Sequence, residues 1–450
     1  MLDSQTDKSL PQRQEDLEKL IQQMLEEARR QGATAADAGI SMDKGLSVTV
    51  RMGKVETIEH HQDRGLGLTV YFGQRQGSAS TSDFNFAAIK SAVTSACTIA
   101  KYTADDPCLG LPDYAELAFK HPHLDLHHPW QLTAEQAIDI ALRCEDAARA
   151  HDVRITNSEG ATVTVHEGLH VQGNSLGFIG GYPSSRHSVS CSVIAQDGEG
   201  MQRDFWYTMA RDATELDNVE EVGRIAARRV LQRLNGRKIA TQTLPVLFHA
   251  DMAAGVIGSF IAAIRGGSQY RKTSFLLDSL GQTIFPTWLN MEEKPHIPKA
   301  LGSSPFDREG VRTIDRNIIQ DGVLQSYLLD SYSARRLDLK TTGHAGGVHN
   351  LLVGHHAKTY QELIRDMGTG LLVTELMGQG INRVTGDYSR GASGFWVEGG
   401  EIQYPVEEVT IAGNLKEMFQ SIQSIANDID IKRNIRCGSL LIDHMTVAGH

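Results

Sequence analysis

The chain has 450 residues, of which 40% are hydrophobic and 22% charged, as in a soluble globular protein of two or three domains. The net charge of −11 argues against nucleic acid as a partner. The sequence contains no apolar run near the roughly 20 residues of a membrane span, and the first helical segment is too charged for a signal peptide. The five cysteines lack CxxC spacing, which is typical of a reducing compartment, so we expect a cytoplasmic protein.

Periodic patterns predict a mixture of helices and strands before residue 237. The predicted helices cover residues 15–31, 86–103, 133–150 and 217–236, and the predicted strands cover residues 46–51, 54–60, 65–72 and much of 161–207. Thr133 and Gln136 form a capping-box pattern at the start of the third helix. Breaks at 52–53 and 63–65 predict hairpin turns between the first three strands. The apolar face of the first helix fits either a core or an interface.

We place a domain boundary at residues 237–244, which gives an N-terminal domain over 1–236 and a C-terminal domain over 237–450. The second domain begins with a predicted buried strand and a helix over 250–265, whose apolar stripe again fits core or interface. It then carries 14 glycines between Gly343 and Gly413, a density that favours tight turns in a mainly β domain. Strands followed by helices, without strict alternation, predict an α+β fold and not a doubly wound one. We expect an antiparallel or mixed sheet with helices in the N-terminal domain and a mainly β C-terminal domain with a few helices.

The string HEGLH at residues 166–170 matches the zincin motif HExxH. That chemistry needs both histidines on one face of a helix. Here alternating residues precede the string and Gly168 interrupts it, so the pattern favours a strand, on which His166 and His170 would lie about 13 Å apart. We therefore predict no metal site at this motif.

The string GNSLG at residues 173–177 matches the GxSxG nucleophile elbow. An elbow needs a strand that enters and a helix that leaves. The residues after Gly177 cannot begin a helix, and Asn174, Ser175 and the glycines suit a hairpin turn. We interpret Ser175 as a turn residue.

A glycine-rich segment holds the densest group of histidines in the C-terminal half. They are His344, His349, His355 and His356. Their spacing matches no known metal motif. We predict that His344 and His349 bind substrate from a loop beside a groove, and a plain surface loop is the alternative.

The polar run GDYSRGASG at residues 386–394 reads as a loop before a strand. Tyr388 and Arg390 could clamp a peptide carboxylate or backbone. With Asp387 and Ser389 they complete our predicted substrate-binding set, and the alternative is a turn whose charged residues cap their neighbours.

Long runs in both halves carry a family resemblance. They are TGDYSRGASGFWVEGGEIQYP at 385–405, VTIAGNLK at 409–416, RKTSFLLD at 271–278, SPFD at 304–307, YSAR at 332–335, RMGKVE at 51–56, YTADDP at 102–107 and ITN at 155–157. These runs resemble the TldD/PmbA peptidase family, on its PmbA/TldE side. The resemblance covers nearly the whole chain.

The resemblance implies a subunit of a paired zinc peptidase. In that family the TldD-like member carries a helix with HExxxH and a later cysteine ligand, and the PmbA/TldE-like member lacks the motif and helps to enclose the chamber. Implied substrates are unfolded or flexible peptides, including microcin precursors and antitoxins. An older family label is modulator of DNA gyrase.

The metal helix of the family would correspond to residues 250–265, which contain neither histidine nor glutamate. Cys437 stands about where the cysteine ligand would be, either as a leftover or as a contributor to the partner's chamber. The resemblance therefore implies no catalytic residue and no metal on this chain, with zinc in a TldD-like partner. A homodimer of the isolated chain and a non-proteolytic regulatory protein remain alternatives.

Overall fold

The computed structural model describes residues 10–449, so the first nine residues of the predicted N-terminal domain and the last residue of the C-terminal one lie outside it. The helices are α1 (Leu10–Arg30), α2 (Phe86–Tyr102), α3 (Ala134–Arg149), α4 (Val219–Gln232), α5 (Ala250–Ala263), α6 (Gly266–Tyr270), α7 (Ser331–Arg336), α8 (Tyr360–Met367) and α9 (Leu415–Gln420). None of these helices is both long enough and apolar enough to cross a membrane.

The strands form three sheets. The first has the order β3-β2-β1-β4-β5-β6, the second β10-β9-β8-β11-β16 and the third β14-β13-β12-β7-β17-β15. Their bounds are β1 (Ala35–Arg51), β2 (Lys54–Phe72), β3 (Arg75–Thr81), β4 (Ile155–Asn174), β5 (Ile179–Asp197), β6 (Gly200–Ala210), β7 (Gln242–Phe248), β8 (Met291–Glu293), β9 (Arg316–Gln320), β10 (Val323–Leu324), β11 (Leu351–Val353), β12 (Gly370–Met377), β13 (Asp387–Glu398), β14 (Glu401–Asn414), β15 (Ile422–Ile425), β16 (Ile435–Arg436) and β17 (Leu440–Ala448). The predicted α+β class is confirmed.

The first sheet is antiparallel and its two faces differ in chemistry. Ala36, Ala38 and Ile40 of β1 point to a core that α1 and α2 cover. Side chains alternate along a strand, so Asp37 and Gly39 point to the opposite face. That second face turns towards the C-terminal half of the chain and lines a cavity.

Two predicted strands are one strand in the structure. The break expected at residues 63–65 is wrong, since β2 runs through it with Gly65 paired to Ser41. Pairing along the whole length of β1 supplies hydrogen bonds that a local turn signal cannot reveal. By contrast, α3 begins with the predicted capping box between Thr133 and Gln136.

The C-terminal half is organised around α5, which follows β7 as predicted. Val256, Ile257 and Phe260 of α5 are almost fully buried in the largest hydrophobic cluster. Leu17 and Ile21 of α1 are buried in the same way in the N-terminal half. Both apolar faces are therefore core.

Two arginines join the two halves. Arg211, at the end of β6, donates hydrogen bonds to the carbonyl oxygens of Ala300 at 3.1 Å and Leu301 at 3.0 Å. Arg335 of α7 donates to the carbonyl oxygens of Cys108 at 3.2 Å and Gly110 at 3.1 Å. Because a guanidinium presents several donors in a fixed fork, each of these side chains fixes one half against the other.

Helices α3 and α4 touch at a glycine. A Cβ atom on Gly223 would lie 2.1 Å from the carbonyl oxygen of Cys144. We therefore expect Gly223→Ala to destabilise the chain by about 1–3 kcal/mol through overpacking, although alanine is the better helix former. Urea unfolding followed by circular dichroism would measure the change.

The matched control is Gly255→Ala in α5, where a new Cβ would meet no atom within 4 Å. This substitution should stabilise the chain by up to about 1 kcal/mol, because alanine loses less backbone entropy in a helix. Equal effects of the two substitutions would contradict the close approach at Gly223.

Candidate functional site

A buried glutamate joins the two histidines that the sequence singled out. Glu293 ends β8, and one of its oxygens lies 2.7 Å from Nε2 of His344. The other oxygen lies 2.9 Å from Nδ1 of His349 and also accepts the backbone N–H of His349 at 2.7 Å. All three residues are buried. They form a clamp, here called the Glu293 clamp, that fixes the loop over residues 343–349.

The charge state of the Glu293 clamp follows from its geometry. Burial by itself would raise the pKa of Glu293, but the hydrogen bonds from His344 and His349 outweigh it, so the pKa lies below that of an ordinary glutamate. Thr342 Oγ1 lies 2.8 Å from Nδ1 of His344 and completes the partners of that ring. The hydrogen bonds of His349 to Glu293 use its backbone N–H and Nδ1 and leave Nε2 unused.

A cavity of about 800 Å³ lies between the two halves of the chain. Its floor is the second face of the first sheet, including Gly39, Gly67 and His170. Its opposite wall is formed by Ser304, residues 306–309 and residues 345–349. Since His349 belongs to that wall, the Glu293 clamp places one side chain at the cavity.

The loop over residues 343–349 depends on glycine. Gly346 and Gly347 have φ values of +116° and +118°, which side-chain-bearing residues rarely adopt. Arg308 packs against Gly346 and also lines the cavity. The glycine density noted in the sequence thus shapes a wall at this point.

Three carboxylates also line the cavity. Burial is the main cause that raises the pKa of Asp37 and of Asp307 to about 7, with the charge of Glu309 as a further cause in both. Burial likewise raises the pKa of Glu309. Asp307 has a structural role, since its oxygens accept the backbone N–H groups of Val311 and Ala345 at 2.9 and 3.0 Å. Asp37 has one weak contact, 3.4 Å from the hydroxyl of Tyr71.

The four remaining predicted substrate residues do not form a loop. Asp387, Tyr388, Ser389 and Arg390 begin strand β13 and pair with residues 411–414 of β14. Tyr388 lies in the main hydrophobic cluster, whereas Asp387 and Ser389 are exposed. The loop interpretation is wrong because pairing with β14 converts this polar run into a ladder. Substrate binding by these residues stays a prediction, and they do not line the same cavity as His349.

HEGLH lies inside β4, so the helical geometry of a zincin is absent there. His166 lies 3.3 Å from Asp43, and His170 lies 3.2 Å from the side-chain oxygen of Gln172. Burial lowers the pKa of His166 below that of an ordinary histidine. Each ring therefore has a neighbour of its own within the sheet.

Ser175 lies in the turn between β4 and β5, as the sequence indicated. Its Oγ accepts the backbone N–H of Ala36 at 3.0 Å. The chain leaves this turn as β5 and not as a helix. Ser175 therefore has a structural partner and lacks the setting of a nucleophile.

The residues of α5 do not fit a hydrolytic zinc. Asp251, the helix's only acid, is engaged with Arg229 and His249, each at 3.3 Å. Cys437 is fully buried, and burial raises the pKa of its thiol, which disfavours the thiolate that binds metal. Within residues 10–449, Cys437 belongs to no group of three potential metal ligands, whereas a catalytic zinc with a cysteine ligand also needs further protein ligands such as histidine.

The Glu293 clamp is the one group of three potential metal ligands that residues 10–449 bring within 4.8 Å of one another. Each carboxylate oxygen already accepts a hydrogen bond from one imidazole. A hydrolytic zinc needs an open coordination position for water. The clamp is buried and satisfied by its own hydrogen bonds, so it does not fit that role.

Comparison with known proteins identifies the family. Models of the PmbA/TldA metallopeptidase match in three parts: domain 1 at residues 36–100, the central domain at 127–234 and the C-terminal domain at 241–449. Metalloprotease PmbA of Escherichia coli O157:H7 is 51% identical over 414 residues, which cover 92% of each chain. The chain belongs to the PmbA/TldD metallopeptidase family.

Within this family the chain stands on the PmbA/TldE side. A metalloprotease TldD homolog of Haemophilus influenzae is only 22% identical, over 92% of each chain. A Bacteroides thetaiotaomicron protein described as a candidate modulator of DNA gyrase has the same fold, with a TM-score of 0.92, 27% identity and coverage of 97% of this chain and 99% of that one. The predicted family is thus confirmed.

Sequence reasoning missed Glu293 of the clamp and Asp37 of the cavity. Glu293 stands in the short charged run EEK and Asp37 stands among alanines, and neither belongs to a motif. One signal was available: Gly65 and Gly67 stand two positions apart in β2, on one face of a strand where larger side chains would normally pack. Such a small-residue face indicates that something other than a hydrophobic core covers it.

Proposed function

We propose that this chain is the subunit without catalytic zinc in a two-chain peptidase of the PmbA/TldD family. A TldD-like partner would hold the zinc and carry out hydrolysis, and this chain would shape the chamber that receives the peptide. The observation that carries the proposal is α5, which follows β7 at the position of the family's metal helix and has no histidine or glutamate. The chain thus keeps the fold of a peptidase without its ligands.

The proposed substrates are unfolded or flexible peptides, such as microcin precursors and antitoxins, in the cytoplasm. The cavity between the halves supports a peptide ligand by its size, since sites for small ligands have volumes of roughly 300–1,000 Å³. Free thiols at all five cysteines suit a reducing compartment. A non-proteolytic regulator is the second candidate, favoured by the gyrase-modulator description of the Bacteroides protein.

The experiment compares cleavage of an unfolded polypeptide by this chain, by a TldD-like partner and by their mixture, each with and without a zinc chelator. We expect chelator-sensitive cleavage only in the mixture, and less than stoichiometric zinc in the purified chain. His166→Ala tests the HEGLH motif, and His344→Gln tests the Glu293 clamp. Cleavage by the chain alone that either variant abolishes would overturn the proposal.

A confirmed complex that cleaves nothing would favour the regulator. In that case capture of an intact macromolecular partner by this chain, without a TldD-like subunit, would be the decisive finding.

A further inference from the structure

The floor of the cavity between the two halves is open because the residues there include glycines, which have no side chain. A Cβ atom on Gly67 would meet no atom within 4 Å, and one on Gly39 would come no closer than 3.8 Å to His170. Neither glycine has a positive φ, so the backbone does not require glycine at either position. Glycine weakens the interior of a strand, and it often marks a place where a ligand or another backbone approaches closely.

The groups that face the cavity are mainly acceptors. Asp37 has an oxygen without a partner in the described part of the chain, and Glu309 has one oxygen occupied by the N–H and hydroxyl of Ser331 at 2.9 and 2.6 Å. His349 is nine-tenths buried. If the carboxylate of Glu293 holds the proton on Nδ1, the unused Nε2 of His349 is also an acceptor.

The charged groups that line the cavity are likewise mainly negative. Three carboxylates and one guanidinium, that of Arg308, line the cavity. Arg335 lies near Glu309, but its donors are directed to carbonyl oxygens of residues 108–111. Crowded carboxylates repel one another, and a cation between them relieves that repulsion.

We propose that this cavity binds an extended peptide segment that carries an alkylammonium group. The peptide backbone lies across Gly39 and Gly67, and the ammonium group meets Asp37 and Glu309. His349 accepts a hydrogen bond from a peptide N–H. This inference names the substrate class of the proposed peptidase subunit and rests on that function. The ammonium group belongs either to a lysine side chain or to the amino terminus.

The test is peptide binding to the full purified chain without any partner, measured by fluorescence anisotropy. The probes are dye-labelled heptapeptides of alanine and serine: one acetylated with a central lysine, one acetylated with norleucine there, and one with a free amino terminus and norleucine. Preference for the first probe assigns the site to lysine, and preference for the third assigns it to the amino terminus. Equal binding of all three probes, or no binding, would overturn the proposal.

Two variants locate the site. Gly67→Val fills the floor and should weaken binding of the preferred probe at least tenfold, whereas Gly65→Val, on the same strand and face but outside the cavity lining, should change it less than twofold. Both place a β-branched residue in a strand, so thermal melting should show folded proteins. Asp37→Asn should remove the preference for the charged probe. Wild-type affinity in Gly67→Val would contradict the location.

These measurements separate the two proposals. A mixture with the partner that fails to cleave, while the chain alone still binds the charged probe, would overturn only the proposed function. Unchanged cleavage by a mixture containing Gly67→Val would overturn only the peptide site.

Discussion

Glu293→Ala is expected to lower the free energy of unfolding by about 3–5 kcal/mol, the usual cost of removing one partner from a buried ionic cluster. The carboxylate is the shared partner of His344 and His349, which lie 51 and 56 residues away along the chain. Its loss leaves two buried imidazoles without their acceptor. Urea unfolding at neutral pH would measure the difference.

The control for this substitution is Glu292→Ala on the same strand. The side chain of Glu292 is 41% exposed and pairs with Lys294 at 3.1 Å. Exposed pairs contribute about 0–1 kcal/mol, so this variant should be nearly as stable as the wild type. Similar losses in the two variants would show that the Glu293 clamp contributes no special stability.

Asp37→Asn is expected to change how stability depends on pH. The folded chain raises the pKa of Asp37 to about 7, so it binds this proton more tightly than the unfolded chain does. The associated stability is present below the ordinary pKa of an aspartate and is lost as pH rises to about 7. Asparagine cannot ionise, so the variant should lack this loss.

The expected gain of Asp37→Asn over the wild type grows between pH 4.5 and pH 8 and then stays constant. Protein atoms surround Asp37 densely, but part of its side chain is exposed to the cavity. Solvent therefore screens the effect, and we expect a gain of about 1–2 kcal/mol at pH 8. Tyr71 and Glu309 influence the pKa of Asp37 directly, and Arg335 influences that of Tyr71.

Thermal unfolding of both proteins over this pH range is the measurement, with Asp63→Asn at an exposed position of β2 as the control for loss of charge. A wild-type stability that rises towards pH 8 relative to Asp37→Asn would reverse the predicted sign. If the stability gain accompanies weaker peptide binding, Asp37 is a residue kept for binding at the expense of stability.

Local sequence determined those features whose physical cause lies within a few residues. The capping box of α3 needs only Thr133 and Gln136, and the alternation around HEGLH predicted the extended backbone that β4 has. The missing ligands of α5 are likewise visible in its own composition. Hence the class of fold, the family and the extended backbone at HEGLH could be predicted from the sequence.

Tertiary structure alone decided the features that depend on distant residues. Pairing of β8 with β11 brings Glu293 opposite Leu351 and so to the loop of His344 and His349. Pairing of β13 with β14 placed Tyr388 in the core, where the sequence suggested a loop. The cavity exists because two halves meet at a face of small residues. Such contacts join positions far apart in the chain, and no local pattern encodes which partner a strand or a buried charge will find.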